Sequence, residues 1–147
     1  MSETQQQKNL TKLRILVVDD MASMRMLVTE YLRRIDNVVV VGEAGTGDEA
    51  LTQVQLHSPD VVLMDISLAG VSGVEITCRI KSKFPHIRVY LFSAYDVDEY
   101  RDLKYNSPSD GFIQKSCLKT ELQQMIQIEL ERKDAPQVIE KQNIQKN

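Results

Sequence analysis

The chain has 147 residues, 42% of them hydrophobic and 27% charged, which suits one globular domain and excludes a disordered or fibrous chain. Eighteen Lys and Arg against 21 Asp and Glu leave a net charge of −3, so nucleic acid is not the expected main partner, since phosphate backbones reward dense positive charge. Apolar runs such as Val38 to Val41 fall far short of the roughly 18 residues a membrane span needs, and the polar stretch from Met1 to Lys12 is no secretion signal, so a cytoplasmic protein without membrane contact is expected.

Taken in order, the chain alternates two kinds of segment between a flexible polar head (residues 1–11) and a polar tail (133–147) expected to be disordered. After the head, Ile15-Leu16-Val17-Val18 is solidly apolar, and Met24, Leu27, Val28, Tyr31, Leu32 and Ile35 then recur at helical steps. Val38-Val39-Val40-Val41 is followed by the weaker stripe Ala50, Leu51, Val54, opened by Thr46 with Glu49 in the pattern of a capping box. Val61-Val62-Leu63-Met64 precedes Ile76, Ile80 and Phe84, with Ser72 and Glu75 at the start of that helix. Val89-Tyr90-Leu91-Phe92 leads into a mostly polar stretch, Asp96 to Lys104, where the least marked helix is expected. Phe112-Ile113 is followed by Leu118, Leu122, Met125, Ile126 and Leu130. Pro59, Pro85 and Pro108 fall between periodic segments, where a missing N–H does least harm.

Short runs rich in β-branched residues mark strands buried on both faces, as parallel strands are. Alternation with helices then predicts a (βα)5 domain over residues 12–132: an α/β, doubly wound, five-stranded parallel sheet in the order 2-1-3-4-5. In such sheets ligands bind beyond the carboxyl ends of the strands. Asp19 and Asp20 follow the first run, Gly42 and Glu43 the second, Asp65 the third, Ser93 the fourth and Lys115 the last. With strands one, three, four and five adjacent, three carboxylates, one hydroxyl and one ammonium converge at one edge.

Two carboxylates about 4 Å apart repel by roughly 4 kcal/mol at an effective dielectric near 20. Three cannot all ionise unless cations sit among them. Lys115 supplies one charge, and hard oxygen ligands favour Mg²⁺ over zinc for the rest. Asp65 beside such an ion is placed to act as a nucleophile toward a phosphoryl group, with Lys115 and Ser93 in reach of the phosphoryl oxygens.

Those residues, in the segments Asp19-Asp20 after Ile-Leu-Val-Val, Leu63-Met64-Asp65-Ile66-Ser67, Ser93-Ala94 and Asp110-Gly111-Phe112-Ile113-Gln114-Lys115, resemble the receiver domain of bacterial two-component response regulators over residues 13 to about 130. The resemblance implies a flavodoxin-like fold and a stand-alone regulator. It implies that Asp65 takes a phosphoryl group from a phosphohistidine of a sensor histidine kinase or phosphotransfer protein. It also implies Mg²⁺ held by Asp19, Asp20, Asp65 and the backbone carbonyl of Ser67, with Asp19 acting partly through water. Ser93 and Phe112 would be switch residues that remodel the surface of the fourth helix, fifth strand and fifth helix, where a downstream protein or a second copy of the chain would bind. Such a protein is a phosphoacceptor assisting its own phosphorylation and dephosphorylation rather than an enzyme on another substrate. Ser67 and Tyr95 would line the route of attacking water, and a bulky Tyr95 would slow dephosphorylation.

Three departures touch the switching and output surfaces rather than the acidic cluster. Ala69 stands where the family usually has Pro, Ser116 replaces a Pro after Lys115, and Asn106-Ser107-Pro108-Ser109 replaces small residues. A cis bond before Ser116 would cost about 2.5 to 4 kcal/mol, so that loop is expected to be trans.

Other features read as ordinary structure. Gly42, Gly45 and Gly47 fit neither a Walker motif nor a dinucleotide fingerprint and read as a turn into a helix. Cys78 and Cys117, with no CxxC spacing, read as free thiols, and no structural zinc site can be built. His57 and His86 read as exposed loop-side residues, Met21, Met24 and Met26 as core and rim, and Ile128 as surface or part of a partner face. A haloacid-dehalogenase-like phosphatase would need an Asp two residues after the nucleophile, where Ser67 stands. The rival within the same fold is a receiver-like interaction module that takes no phosphate. The roughly 15 residues after the last helix cannot supply three helices, so direct DNA binding is not expected.

Overall fold

The computed structural model describes residues 12–94 and 107–135. The polar head 1–11, the tail beyond residue 135, the helix expected within Asp96–Lys104, and Tyr95 lie outside the described residues. In chain order the elements are β1 (Leu13–Val18), α1 (Ala22–Arg33), β2 (Val38–Ala44), α2 (Gly47–His57), β3 (Val61–Asp65), β4 (Ser67–Leu68), β5 (Val71–Ser72), α3 (Gly73–Lys83), β6 (Arg88–Ser93), β7 (Gly111–Gln114) and α4 (Leu118–Asp134), the last preceded by a 3-10 turn at Lys115–Cys117.

Five strands form one parallel sheet in the order β2-β1-β3-β6-β7. With the short β4 and β5 set aside, this is the doubly wound 2-1-3-4-5 order expected from the alternation of apolar runs and amphipathic stripes. The pleat divides each strand between two cores. Leu16, Val18, Val62, Met64, Val89 and Leu91 face α2 and α3 through Ala50, Val54, Ile76 and Ile80. Ile15, Val17, Val61, Leu63, Tyr90 and Phe92 face α1 and α4 through Val28, Leu32, Leu122 and Met125. Central β3 is buried along its whole length, whereas the Val38–Val41 run of β2 is half exposed. An edge strand has a neighbour on one side only, which accounts for that difference from the expected two-sided burial. No described helix is long and apolar enough to cross a membrane.

Capping follows the sequence signals with small shifts. Thr46 Oγ1 accepts from Glu49 N at 3.1 Å, and the Glu49 carboxylate accepts from Gly45 N at 2.8 Å. Ser72 Oγ accepts from Val74 N at 3.1 Å, while Glu75 pairs with Arg79 at 3.0 Å instead of closing a box. Cys78 and Cys117 are free and exposed; His86 is exposed and His57 half-buried. No peptide bond among the described residues is cis, so Lys115–Ser116 is trans.

Two-residue strands leave no periodic signal, and the antiparallel β4–β5 ribbon has no counterpart in the sequence reading. It turns through Ala69 and Gly70, the latter at φ +82°. From there the chain enters α3 at Gly73, whose N–H donates to the Ile66 carbonyl at 2.8 Å. A Cβ at Gly73 would lie 2.0 Å from the Asp65 carbonyl oxygen, so only glycine lets α3 start this close to the end of β3. Gly70 has open space around it and pays only for its backbone angle.

This contrast gives a stability prediction. Gly73→Ala should cost about 3 kcal/mol through backbone overlap, and Gly70→Ala about 1–2 kcal/mol through the left-handed angle alone. Urea unfolding of the two variants checks this; equal losses would show that close approach to Asp65 is not what Gly73 permits.

Candidate functional site

Parallel order brings the residues after β1, β3, β6 and β7 to one end of the sheet. Asp65 is the last residue of β3 and pairs with Phe92; Ser93 closes β6 opposite Gln114. One carboxylate oxygen each from Asp19, Asp20 and Asp65 lies within 4.8 Å of the other two. Lys115 Nζ stands 3.4 Å from Asp65 Oδ1, 3.7 Å from Asp19 Oδ2 and 5.0 Å above the centre of the buried Phe92 ring. Asp19, Asp20, Asp65 and Lys115, expected at one edge of the sheet, therefore lie together. Glu43, after β2, stands apart and pairs with Arg25 at 3.3 Å and Arg33 at 3.6 Å.

Burial makes the cluster electrostatically tense. Asp19 is 0% and Asp65 4% exposed, whereas Asp20 opens to solvent. Asp19 Oδ1 accepts from Met21 N at 2.8 Å, and Asp65 Oδ1 from Ser67 N at 3.2 Å. Asp19 Oδ2 is buried without a hydrogen-bond partner. Such a group ordinarily costs about 1–3 kcal/mol, more when charged. Burial first, then the neighbouring Asp19 charge, push the Asp65 carboxyl up to about 6, against the opposing pull of Lys115 and the Ser67 N–H. An orphaned buried carboxylate oxygen within an all-oxygen donor set suits a hard cation held between Asp19, Asp20 and Asp65.

The other expected residues within the described part are placed by the elements that carry them. Ser93 is buried at the end of β6. Ser67 is exposed at the start of the β4–β5 ribbon, next to the pocket through its N–H bond to Asp65. Phe112 is half-buried, pairs with Leu91 in the sheet and packs against the α2–α3 core. Ala69 and Ser116 are exposed.

Several supporting residues escaped the sequence reading. Asp110 accepts from Lys81 Nζ and Arg88 Nη1, each at 2.9 Å, and from Val89 N at 2.8 Å, which ties the start of β7 to β6 and α3. Gln114 N donates to Glu121 of α4 at 2.5 Å, so the residue before Lys115 is anchored as well. Glu129, 3% exposed on α4, takes Arg88 Nε at 3.1 Å and the Tyr90 hydroxyl, and burial with that carboxylate pushes Tyr90 up to about 12. Arg25 Nη1 donates to the Asp19 carbonyl at 2.6 Å. A cation one turn beyond the Asp19-Asp20 pair was the available signal for that contact, but helical surfaces carry many such cations.

The parallel doubly wound sheet, with three acids and a lysine gathered at its carboxyl edge, places the chain among the doubly wound α/β domains. The sequence profile of the response regulator receiver domain matches residues 15–127, and the chain belongs to that family. It is similar to the response regulator GacA of Pseudomonas viridiflava, 33% identical over 116 residues that make up 79% of this chain and 54% of that protein. The chain spans about half the length of the curated relatives it matches. Among solved structures it is similar to a LuxR-family two-component response regulator from Aurantimonas sp. SI85-9A1, with 28% identity, a TM-score of 0.74 and coverage of 81% of this chain and 85% of that one. The response regulator domain of Thermotoga maritima CheB also superposes, with 28% identity, a TM-score of 0.72 and coverage of 82% and 97%.

The raised Asp65 carboxyl has a stability consequence. Its ionised form is disfavoured in the metal-free fold, so this group's contribution declines as pH climbs from the ordinary carboxylate range through about 6. With chelator present, Asp65→Asn should therefore be more stable than the parent at pH 8, by on the order of 2 kcal/mol, and nearly equal to it at pH 4. Urea unfolding at both pH values checks this; a difference that does not change with pH would contradict it.

Proposed function

We propose that the protein is a phosphoryl-accepting response regulator receiver in which Asp65 is the acceptor. The observation that supports this most is the buried Asp65 carboxylate with the Lys115 ammonium 3.4 Å away and the Asp19 and Asp20 carboxylates beside it. A carboxylate oxygen of Asp65 forms a bond to the phosphorus of a phosphohistidine while the N–P bond breaks, and the released imidazole nitrogen keeps the electron pair and takes a proton. The donor is a sensor histidine kinase or a phosphotransfer protein, as the family resemblance implies.

Asp19, Asp20, Asp65 and the backbone carbonyl of Ser67 are the proposed Mg²⁺ ligands. The bound ion supplies positive charge that offsets carboxylate repulsion and the charge on the phosphoryl oxygens. Lys115 binds a phosphoryl oxygen with its ammonium, and Ser93 donates a hydrogen bond to another. Fixed at the ends of strands, these side chains are already oriented before the donor arrives. As Lys115 and Ser93 draw toward the phosphoryl group, Phe112 changes its burial and alters the surface around β7 and α4, where a downstream protein or a second copy would bind. The protein is a switch that assists its own modification and works through protein contacts.

Acetyl phosphate with Mg²⁺ should add one acid-stable, base-labile phosphoryl group, seen by intact-mass analysis, and Asp65→Asn should abolish the adduct. A parent protein that stays unmodified would favour an interaction module that takes no phosphate. Lys115→Ala should still form the adduct but lose the difference in partner binding between modified and unmodified forms; unchanged coupling would show that Lys115 is not a switch element.

A further inference from the structure

Asp20 is the exposed member of the acidic trio, and among the described residues its side chain makes no hydrogen bond or ion pair. Its direction therefore depends on its backbone. The peptide entering Asp20 begins at the Asp19 carbonyl, and that oxygen accepts from Arg25 Nη1 at 2.6 Å. Arg25 is itself held at its other face, where Nε lies 3.3 Å from Glu43 Oε1 at the end of β2. Glu43 is steadied in turn by Arg33 at 3.6 Å. On its amino side Asp19 is fixed by its N–H to the Ala44 carbonyl at 3.0 Å, one residue beyond Glu43. The β1–α1 loop is thus strapped to the end of β2 at two points, one of backbone and one of guanidinium.

We propose that Arg25 is a positioning residue for the cation: through the Asp19 carbonyl it sets the direction in which Asp20 presents its carboxylate to an ion shared with Asp19 and Asp65. This rests on the reading of the trio as a Mg²⁺ site. The planar fork of Arg25 is what allows it to bridge a carbonyl and a carboxylate at once, which the single ammonium of a lysine does less well.

The sign of the effect separates positioning from simple charge. Arg25 is a cation beside an anionic site, so deleting it should tighten Mg²⁺ binding if only Coulomb attraction counts. If it positions Asp20, deletion weakens binding. Isothermal titration of metal-free protein with Mg²⁺ should give about five- to tenfold weaker binding for Arg25→Ala, a loss of roughly 1 to 1.4 kcal/mol. Arg25→Lys, which keeps the charge, should be about threefold weaker than the parent. At saturating Mg²⁺, adduct formation from acetyl phosphate should return to the parent rate for both variants, because the ligands themselves remain. Circular dichroism of the metal-free variants reports folding, and should Arg25→Ala fail to fold, Arg25→Lys carries the test. Binding in the variants as tight as, or tighter than, in the parent would overturn the positioning role. A parent that binds no Mg²⁺ would instead overturn the metal reading of the trio, and this proposal with it.

Discussion

Crowding of like charge in a place that water scarcely reaches is the constraint on which the rest of the structure depends. Asp19 and Asp65 are buried, Asp20 borders them, and among the described residues one ammonium within 4 Å and the N–H groups of Met21 and Ser67 offset them. No local segment could hold such a cluster, since Coulomb repulsion and desolvation both oppose it. It persists because each acid sits at the end of a strand whose apolar body is locked in the sheet, so core burial supplies the energy that the cluster takes up. The same tension makes the pocket responsive, because an added proton or cation, or conversion of Asp65 to a phosphorylated group, changes a balance already strained.

Lys115 is held in this balance by the strand that precedes it. It follows β7, an edge strand fastened at its start by Asp110 to β6 and α3 and at its end by the Gln114 N–H to Glu121 of α4. Phe112 lies between those two fastenings. The neighbours of this four-residue strand are α4 and the core beneath Phe112. Part-buried ion pairs such as those of Asp110 add little net stability, and their effect here is to hold the start of β7 in place.

Much of this was legible in the sequence, and the reason is periodicity. The bodies of β1, β3 and β6 are apolar runs because parallel central strands are buried on both faces, and α1 and α4 show the spacing of a single buried stripe. From that alternation came the strand order, and from the order came the convergence of Asp19, Asp20, Asp65, Ser93 and Lys115. What escaped is what periodicity does not encode. The β4–β5 ribbon is too short to have a period, and the close approach at Gly73 depends on a backbone distance. The half exposure of β2 follows from its place at the sheet edge rather than from its valines. Arg25 and Asp110 are charged residues whose partners lie on other elements, and a single sequence does not distinguish them from solvated neighbours such as Arg79.

A divalent cation and a proton are expected to compete for the same crowded carboxylates. Calorimetric titration of the parent protein with Mg²⁺ across pH 5 to 8, in buffers of different ionisation enthalpy, tests this most directly. One binding site is predicted, with affinity falling and proton release growing as pH drops toward about 6, the range to which the Asp65 carboxyl is pushed. Binding of Mg²⁺ that is independent of pH and releases no proton, or no binding at all, would rule this competition out.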